Sequence, residues 1–157
     1  TQTFPKSITC QISVSPYLGC VMGNTTQIHQ VLMNLVVNAR DAMPQGGKLT
    51  LHLNGADTET NFVIITVTDT GIGIPASNLE HIFEPFFTTK EVGKGTGLGL
   101  STTKSIIKNH GGFIDVHSKV GEGTCFKVYL PVIKTTSTHI LPTQLTSSCD
   151  TGILPVQ

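Results

Sequence analysis

Two separate glycine clusters, DTGIGI (residues 69–74) and GKGTGLGLS (residues 93–101), flank the polar and aromatic segment FEPFFTTK (residues 83–90). Glycine lets backbone amides approach a ligand closely and adopt positive φ. The second cluster runs straight into a helical pattern, so its amides and the helix dipole converge on an anion. A phosphate is the natural occupant, and the segment reads as a nucleotide site. It is not a P-loop, because Gly47-Lys48 is followed by Leu49 and Gly93-Lys94 by Gly95, where a Ser or Thr is required. A long stretch separates the preceding strand from the second cluster, which is unlike the compact dinucleotide fingerprint. The HRD and DFG signatures of protein kinases are absent.

Other residues break the pattern of their surroundings. Gln27, Gln30, Asn34, Asn38 and Asp41 form a polar stripe along a helical segment, with Asn34 and Asn38 as i,i+4 neighbours. Asn is a poor residue inside a helix because its amide competes for backbone bonds. An amide oxygen there suits a hard cation such as Mg²⁺, which takes few protein ligands and keeps its waters and phosphates. On the helix alone a solvated face is the simpler account; the phosphate-type loops reverse that. Asp69 shares a strand face with Val63, Ile65 and Val67, so alternation turns it toward the core. A carboxylate there needs donors. The exocyclic amine of adenine is one, with Gly71 and Gly73 letting the ring approach the backbone; the alternative is an Asp capping the turn that follows. Phe83, Phe86 and Phe87 are either core or the anchor of a mobile flap. Lys90 and Lys94 are the cations of that flap, and Lys94 stands where only a ligand would pair it.

The elements that position these residues follow from periodicity. Residues 8–14 alternate as a half-buried strand, and residues 18–22 form a short extended piece. A helix capped by Asn24, Thr25 or Thr26 runs to Met43 and ends at Pro44 and Gly46-Gly47, with Ile28, Val31, Leu35 and Ala39 on its apolar face. Two strands, 48–53 and 61–69, are joined by a polar turn at 54–60. A short helix is expected over 75–82 with Pro75 in its first turn, and a longer one from about Gly97 to Asn109, stopped by Gly111-Gly112. Strands at 113–118 and 124–130 complete a mixed sheet covered by helices, of the α/β class. Residues 1–134 make one domain, and the Thr/Ser/Pro-rich residues 135–157 read as a flexible tail or linker.

The chain has 157 residues, zero formal net charge and a pI near 6.9. That size holds a proper core, and that balance gives no basic field for nucleic acid or anionic lipid. Its four cysteines lack paired CxxC spacing, which argues against zinc and for reduced thiols in the cytoplasm. No apolar stretch is long enough to span a membrane. The six histidines start no metal-type cluster and read as structural. The abrupt start in a strand pattern reads as a fragment of something longer.

Taken in order, these motifs resemble the catalytic ATP-binding domain of sensor histidine kinases, the kinase branch of the Bergerat-fold ATPases. QVLMNLVVNARDAM is similar to the N box, DTGIGI to the first glycine box and FEPFFTTK to the F box. GTGLGLS resembles the second glycine box and GEGT the last. The likeness covers residues 7–132, and FEPFFTTK with GTGLGLS separates histidine kinases from gyrase, MutL and heat-shock chaperone relatives. It implies a two-layer α/β sandwich, a mixed, mostly antiparallel sheet backed by helices, with ATP under a lid. It implies Asn38 as the Mg²⁺ ligand with Asn34 in support, and Asp69 on the adenine amine with Gly71 and Gly73 shaping the base pocket. Gly95, Gly97, Leu98 and Gly99 would form the lid hinge and the phosphate-binding helix start. Thr124 would join the polar network around Asp69, and Lys90 and Lys94 would approach the phosphates.

The family's acceptor histidine is followed by an acidic residue. None of this chain's is: His29, His52, His81, His110, His117 and His139 precede Gln30, Leu53, Ile82, Gly111, Ser118 and Ile140. The resemblance therefore implies a domain that binds Mg·ATP or ADP and works on a separate dimerisation domain carrying the histidine, which serves a response regulator. A Bergerat-fold serine kinase and a non-catalytic nucleotide-sensing module are the competing functions. Residues 92–97, rich in glycine, are expected to be mobile without nucleotide and to order over a triphosphate.

Overall fold

A computed structural model describes residues 7–55, 61–134 and 153–155. Strand β1 (Ile8–Val14) leads through β2 (Cys20–Met22) into helix α1 (Thr25–Asp41), followed by the antiparallel pair β3 (Gly47–Asn54) and β4 (Phe62–Asp69). After α2 (Ala76–Leu79) and α3 (Gly99–Asn109) come β5 (Phe113–Lys119) and β6 (Gly123–Pro131). Five strands make one sheet in the order β1-β3-β4-β6-β5. Only the β1–β3 pairing is parallel; the other three are antiparallel. This is the mixed sheet backed by helices expected from the sequence.

Alternation sorts the central strand. Val63, Ile65, Val67 and Asp69 of β4 are buried toward the helices, while the residues between them are only partly covered. Against this face α1 sets Val31, Leu35 and Ala39, and α3 sets Thr103, Ile106 and Ile107. The apolar helix face read from the sequence is thus the one that packs. Asn24 caps α1, its Oδ1 accepting the Gln27 N–H at 3.0 Å. No helix among the described residues is long and apolar enough to cross a membrane.

Four expectations need correction. First, β1 is not half-buried along its length: Ile8 is buried, but Ile12 is 71% exposed and Val14 45%. It is an edge strand, whereas α1 packs over β4 and α3 over β6 and the other edge, β5. Second, α1 ends at Asp41, not at Met43. Third, the helix after Pro75 is a single turn, and the chain proceeds in turns to the aromatic segment. Fourth, α3 begins at Gly99, because Gly97 is left-handed at φ +67° and cannot open a helix. The turn at 56–60 and most of the presumed tail lie outside the described residues. Within the latter, Ile153–Pro155 forms β7, antiparallel to β2.

Candidate nucleotide site

The end of β4, the polar side of α1, the start of α3 and the aromatic segment enclose a cavity of about 1250 Å³. Asp69 lies in its wall, 5% exposed. Its Oδ1 accepts the N–H of Gly71 at 2.8 Å and of Thr124 at 3.3 Å, leaving Oδ2 without a protein partner among the described residues. Burial pushes this carboxyl above the ordinary range, and the two backbone hydrogen bonds pull it partly back. The turn-capping reading of Asp69 is met by one oxygen, and the carboxyl also fronts the cavity. Thr124 reaches Asp69 through its backbone, while its hydroxyl pairs with Ser118 Oγ at 2.8 Å.

The polar stripe of α1 divides its labour. Asn34 is committed inside the protein: its Nδ2 donates to the Gly99 carbonyl at 3.1 Å and to Thr103 Oγ1 at 3.2 Å, fastening α1 to α3. Asn38, one turn on, lines the cavity and has no hydrogen bond from its side chain among the described residues. An uncommitted amide oxygen beside phosphate-type loops fits Mg²⁺, which needs few protein ligands. No cluster of three or more His, Cys, Asp or Glu suited to a metal occurs among the described residues.

The glycines of the first cluster serve packing as much as access. A Cβ on Gly71 would lie 2.4 Å from the Ala42 carbonyl oxygen, and one on Gly73 (φ +75°) 2.2 Å from that of Lys119. They let the loop close against the end of α1 and the β5–β6 turn. In the second cluster, Gly97 meets the backbone of Phe86, whose N–H donates to the Gly97 carbonyl at 2.9 Å. This bond closes the base of the lid. Phe86 itself sits at φ +67° and is 75% exposed, whereas Phe83 and Phe87 pack on the core. The aromatic trio thus supplies two anchors and one exposed ring. Leu98 takes the position before α3 with no side-chain cap, so the first turn from Gly99 keeps its N–H groups directed along the dipole. Gly99 and Leu100 line the cavity, and a Cβ on Gly99 would meet nothing closer than 3.8 Å.

The lysines differ from expectation. Lys90 Nζ lies 2.6 Å from Asp41 Oδ2, and Lys94 Nζ lies 2.5 Å from Glu91. Lys94 is not reserved for a ligand, because an acid three residues earlier reaches it. Gly95 lies beside both Thr88 and the Lys90 stem. The sequence reading passed over Arg40 and Asp41 as site residues, and over Thr103 and Ser118. Asp41 follows Asn34 and Asn38 at helical spacing and was detectable on that ground; Thr103 and Ser118 emerge only once the elements are packed. Among the histidines, His110 fastens the end of α3, its Nε2 accepting the Asn24 N–H at 3.1 Å.

A family model described as "Histidine kinase-, DNA gyrase B-, and HSP90-like ATPase" matches residues 23–134. The chain belongs to this family, and corresponds to the ATP-binding domain of sensor histidine kinases. Among its relatives, "Sensor kinase CckA" of Brucella abortus is 52% identical over 138 residues, covering 80% of this chain and 15% of that protein. "Sensor histidine kinase ZraS" of Salmonella typhimurium is 41% identical over 128 residues, covering 82% and 27%. The nucleotide-free catalytic domain of histidine kinase ThkA superposes with a TM-score of 0.69 at 35% identity, covering 80% of this chain and 81% of that one. Full-length ShkA in complex with AMPPNP superposes at 0.71 with 28% identity, covering 83% and 27%. The chain therefore spans about a quarter or less of the two curated relatives named.

Proposed function

We propose that this domain binds Mg·ATP and supplies the catalytic half of a protein-histidine kinase, transferring the γ-phosphoryl to a histidine on a separate dimerisation domain. The observation that carries the reading is the convergence of Asp69, Asn38 and the start of α3 on one cavity. Asp69 would accept from the adenine amine. Asn38, with waters and phosphates, would hold Mg²⁺, which when bound neutralises charge on the triphosphate. Gly95, Gly97 and Gly99 would bring backbone amides to the phosphates, with Asn34 fixing α3 against α1 rather than touching the metal. Positioning and charge neutralisation would do most of the chemistry. A response regulator would receive the phosphoryl group, and the domain would work in the cytoplasm without contacting nucleic acid or membrane.

The test supplies the acceptor-histidine domain of a related sensor kinase in trans with γ-labelled ATP. Acid-labile label on that domain, and none on this chain, is the expected result. Label on any of this chain's six histidines would refute the division of labour. Saturable nucleotide binding with no transfer would favour a nucleotide-sensing module, and acid-stable label on serine the serine-kinase reading.

A further inference from the structure

Asp41 stands one turn beyond Asn38 and binds two cations at once. Its Oδ1 takes Arg40, at 2.9 Å from Nη2 and 3.1 Å from Nε, and its Oδ2 takes Lys90 at 2.6 Å. These contacts lower its carboxyl despite the opposing effect of burial. Lys94 is likewise engaged by Glu91. Among the described residues lining the cavity, Arg40 and Lys90 share Asp41, and Lys94 faces Glu91. A polyphosphate entering beside these loops therefore meets cations that already have acidic partners. A cation has to change partners.

Lys90 is placed to do so. It adjoins the lid, at the end of the aromatic segment, and its side chain is 34% exposed. An exposed ion pair contributes little to stability and is readily exchanged. Lysine carries a compact charge on a flexible stem, so it can swing without disturbing its backbone. Asp41 loses little when Lys90 leaves, because Arg40 remains on its other oxygen.

Resting on the adenine-nucleotide reading above, we propose that Asp41 is a positioning residue. It stores Lys90 against α1 and yields it to a nucleotide phosphate, so that competition between this carboxylate and the ligand for one lysine holds down the affinity for polyphosphate nucleotides and leaves that for AMP untouched.

Calorimetric titration of the chain with Mg·ATP and with AMP tests this. Asp41→Asn removes the competitor and is expected to tighten Mg·ATP binding about two- to fivefold, leaving AMP unchanged. Asp41→Glu, which keeps both ion pairs, is expected to bind as the native protein does. Lys90→Gln is expected to weaken Mg·ATP, and in that background Asp41→Asn is expected to lose most of its gain. Weaker or unchanged Mg·ATP binding by Asp41→Asn would overturn the proposal, as that is the behaviour of a structural strut. An equal gain in the Lys90→Gln background would overturn it too, because the effect would then be bulk charge. Should the native chain bind no adenine nucleotide, the reading of the site itself falls, and this proposal with it.

Discussion

At the scale of single residues, the proposed recognition role of Asp69 comes with a cost in stability. Its folded carboxyl lies above the ordinary value because burial penalises the ion. Ionised Asp69 therefore costs the folded state stability at neutral pH. That cost fades as pH falls through the raised folded value and is gone below the ordinary one. If Asp69 accepts from the adenine amine as proposed, nucleotide affinity should show the opposite dependence, since that bond needs the carboxylate. Asp69→Asn is expected to keep both turn hydrogen bonds through its amide oxygen and to hold or raise the melting temperature. The same change should weaken ATP roughly ten- to a hundredfold, the effect of losing a charge-assisted bond of about 1.5–3 kcal/mol. A thermal melt and a titration on one variant check both halves; a large loss of melting temperature would contradict the first. Asn34 and Asn38 should separate in the same way. Asn34→Ala is expected to destabilise the fold by about 1–3 kcal/mol by stripping a partner from buried Thr103. Asn38→Ala should leave denaturant unfolding unchanged and remove the Mg²⁺ dependence of binding. Sequence showed both amides on one stripe. It did not show that one is spent on the neighbouring helix, because that depends on where α3 lands.

At the scale of elements, legibility tracked local chemistry. The start of α1 was readable because Asn24 is both a strong cap and followed by a helical period. The start of α3 was misread by two residues, because Gly97 bends the chain under a tertiary constraint, the close approach of Phe86. A Cβ at Gly97 would sit 2.4 Å from the Phe86 carbonyl carbon at φ +67°. Gly97→Ala is thus expected to break the bond that closes the lid and to cost about 1–3 kcal/mol. Amide exchange should locate the damage: faster exchange at Phe86 and the first turn of α3, with β4 and β6 unaffected. Exchange with and without Mg·ATP tests the closure of residues 92–97. Strong protection of that glycine-rich stretch before nucleotide is added would mean a preformed lid. Val92, fully exposed there, offers nothing to hold it down.

At the scale of the whole molecule, the strands of the main sheet were visible as hydrophobic periods, the two-layer and mostly antiparallel arrangement came only through the family resemblance, and β7 fell in a stretch read as a tail. In β1 the burial was misjudged, for its alternation is as clean as that of β4 yet largely uncovered. Period reports which residues share a face and is silent on whether a helix reaches it. Ile12 and Val14 on an edge strand are an association hazard. Ile12→Thr is expected to change stability by about 0.5 kcal/mol or less and to reduce concentration-dependent self-association in sedimentation. Unaltered sedimentation would mean the edge is already protected. The register of the sheet also bears on how the domain comes to exist. Asp69 is paired with Thr124 across β4 and β6, and the aromatic segment, the lid, α3 and β5 all lie in the chain between them. The central pairing is therefore a contact of high contact order, closed late and slowly. A nascent chain that has not yet delivered Thr124 has the N box, both glycine clusters and the lid, but no second amide on the Asp69 carboxylate. Such a chain has little for nucleotide to stabilise, so ATP should protect the finished domain against unfolding by mass action without speeding its folding.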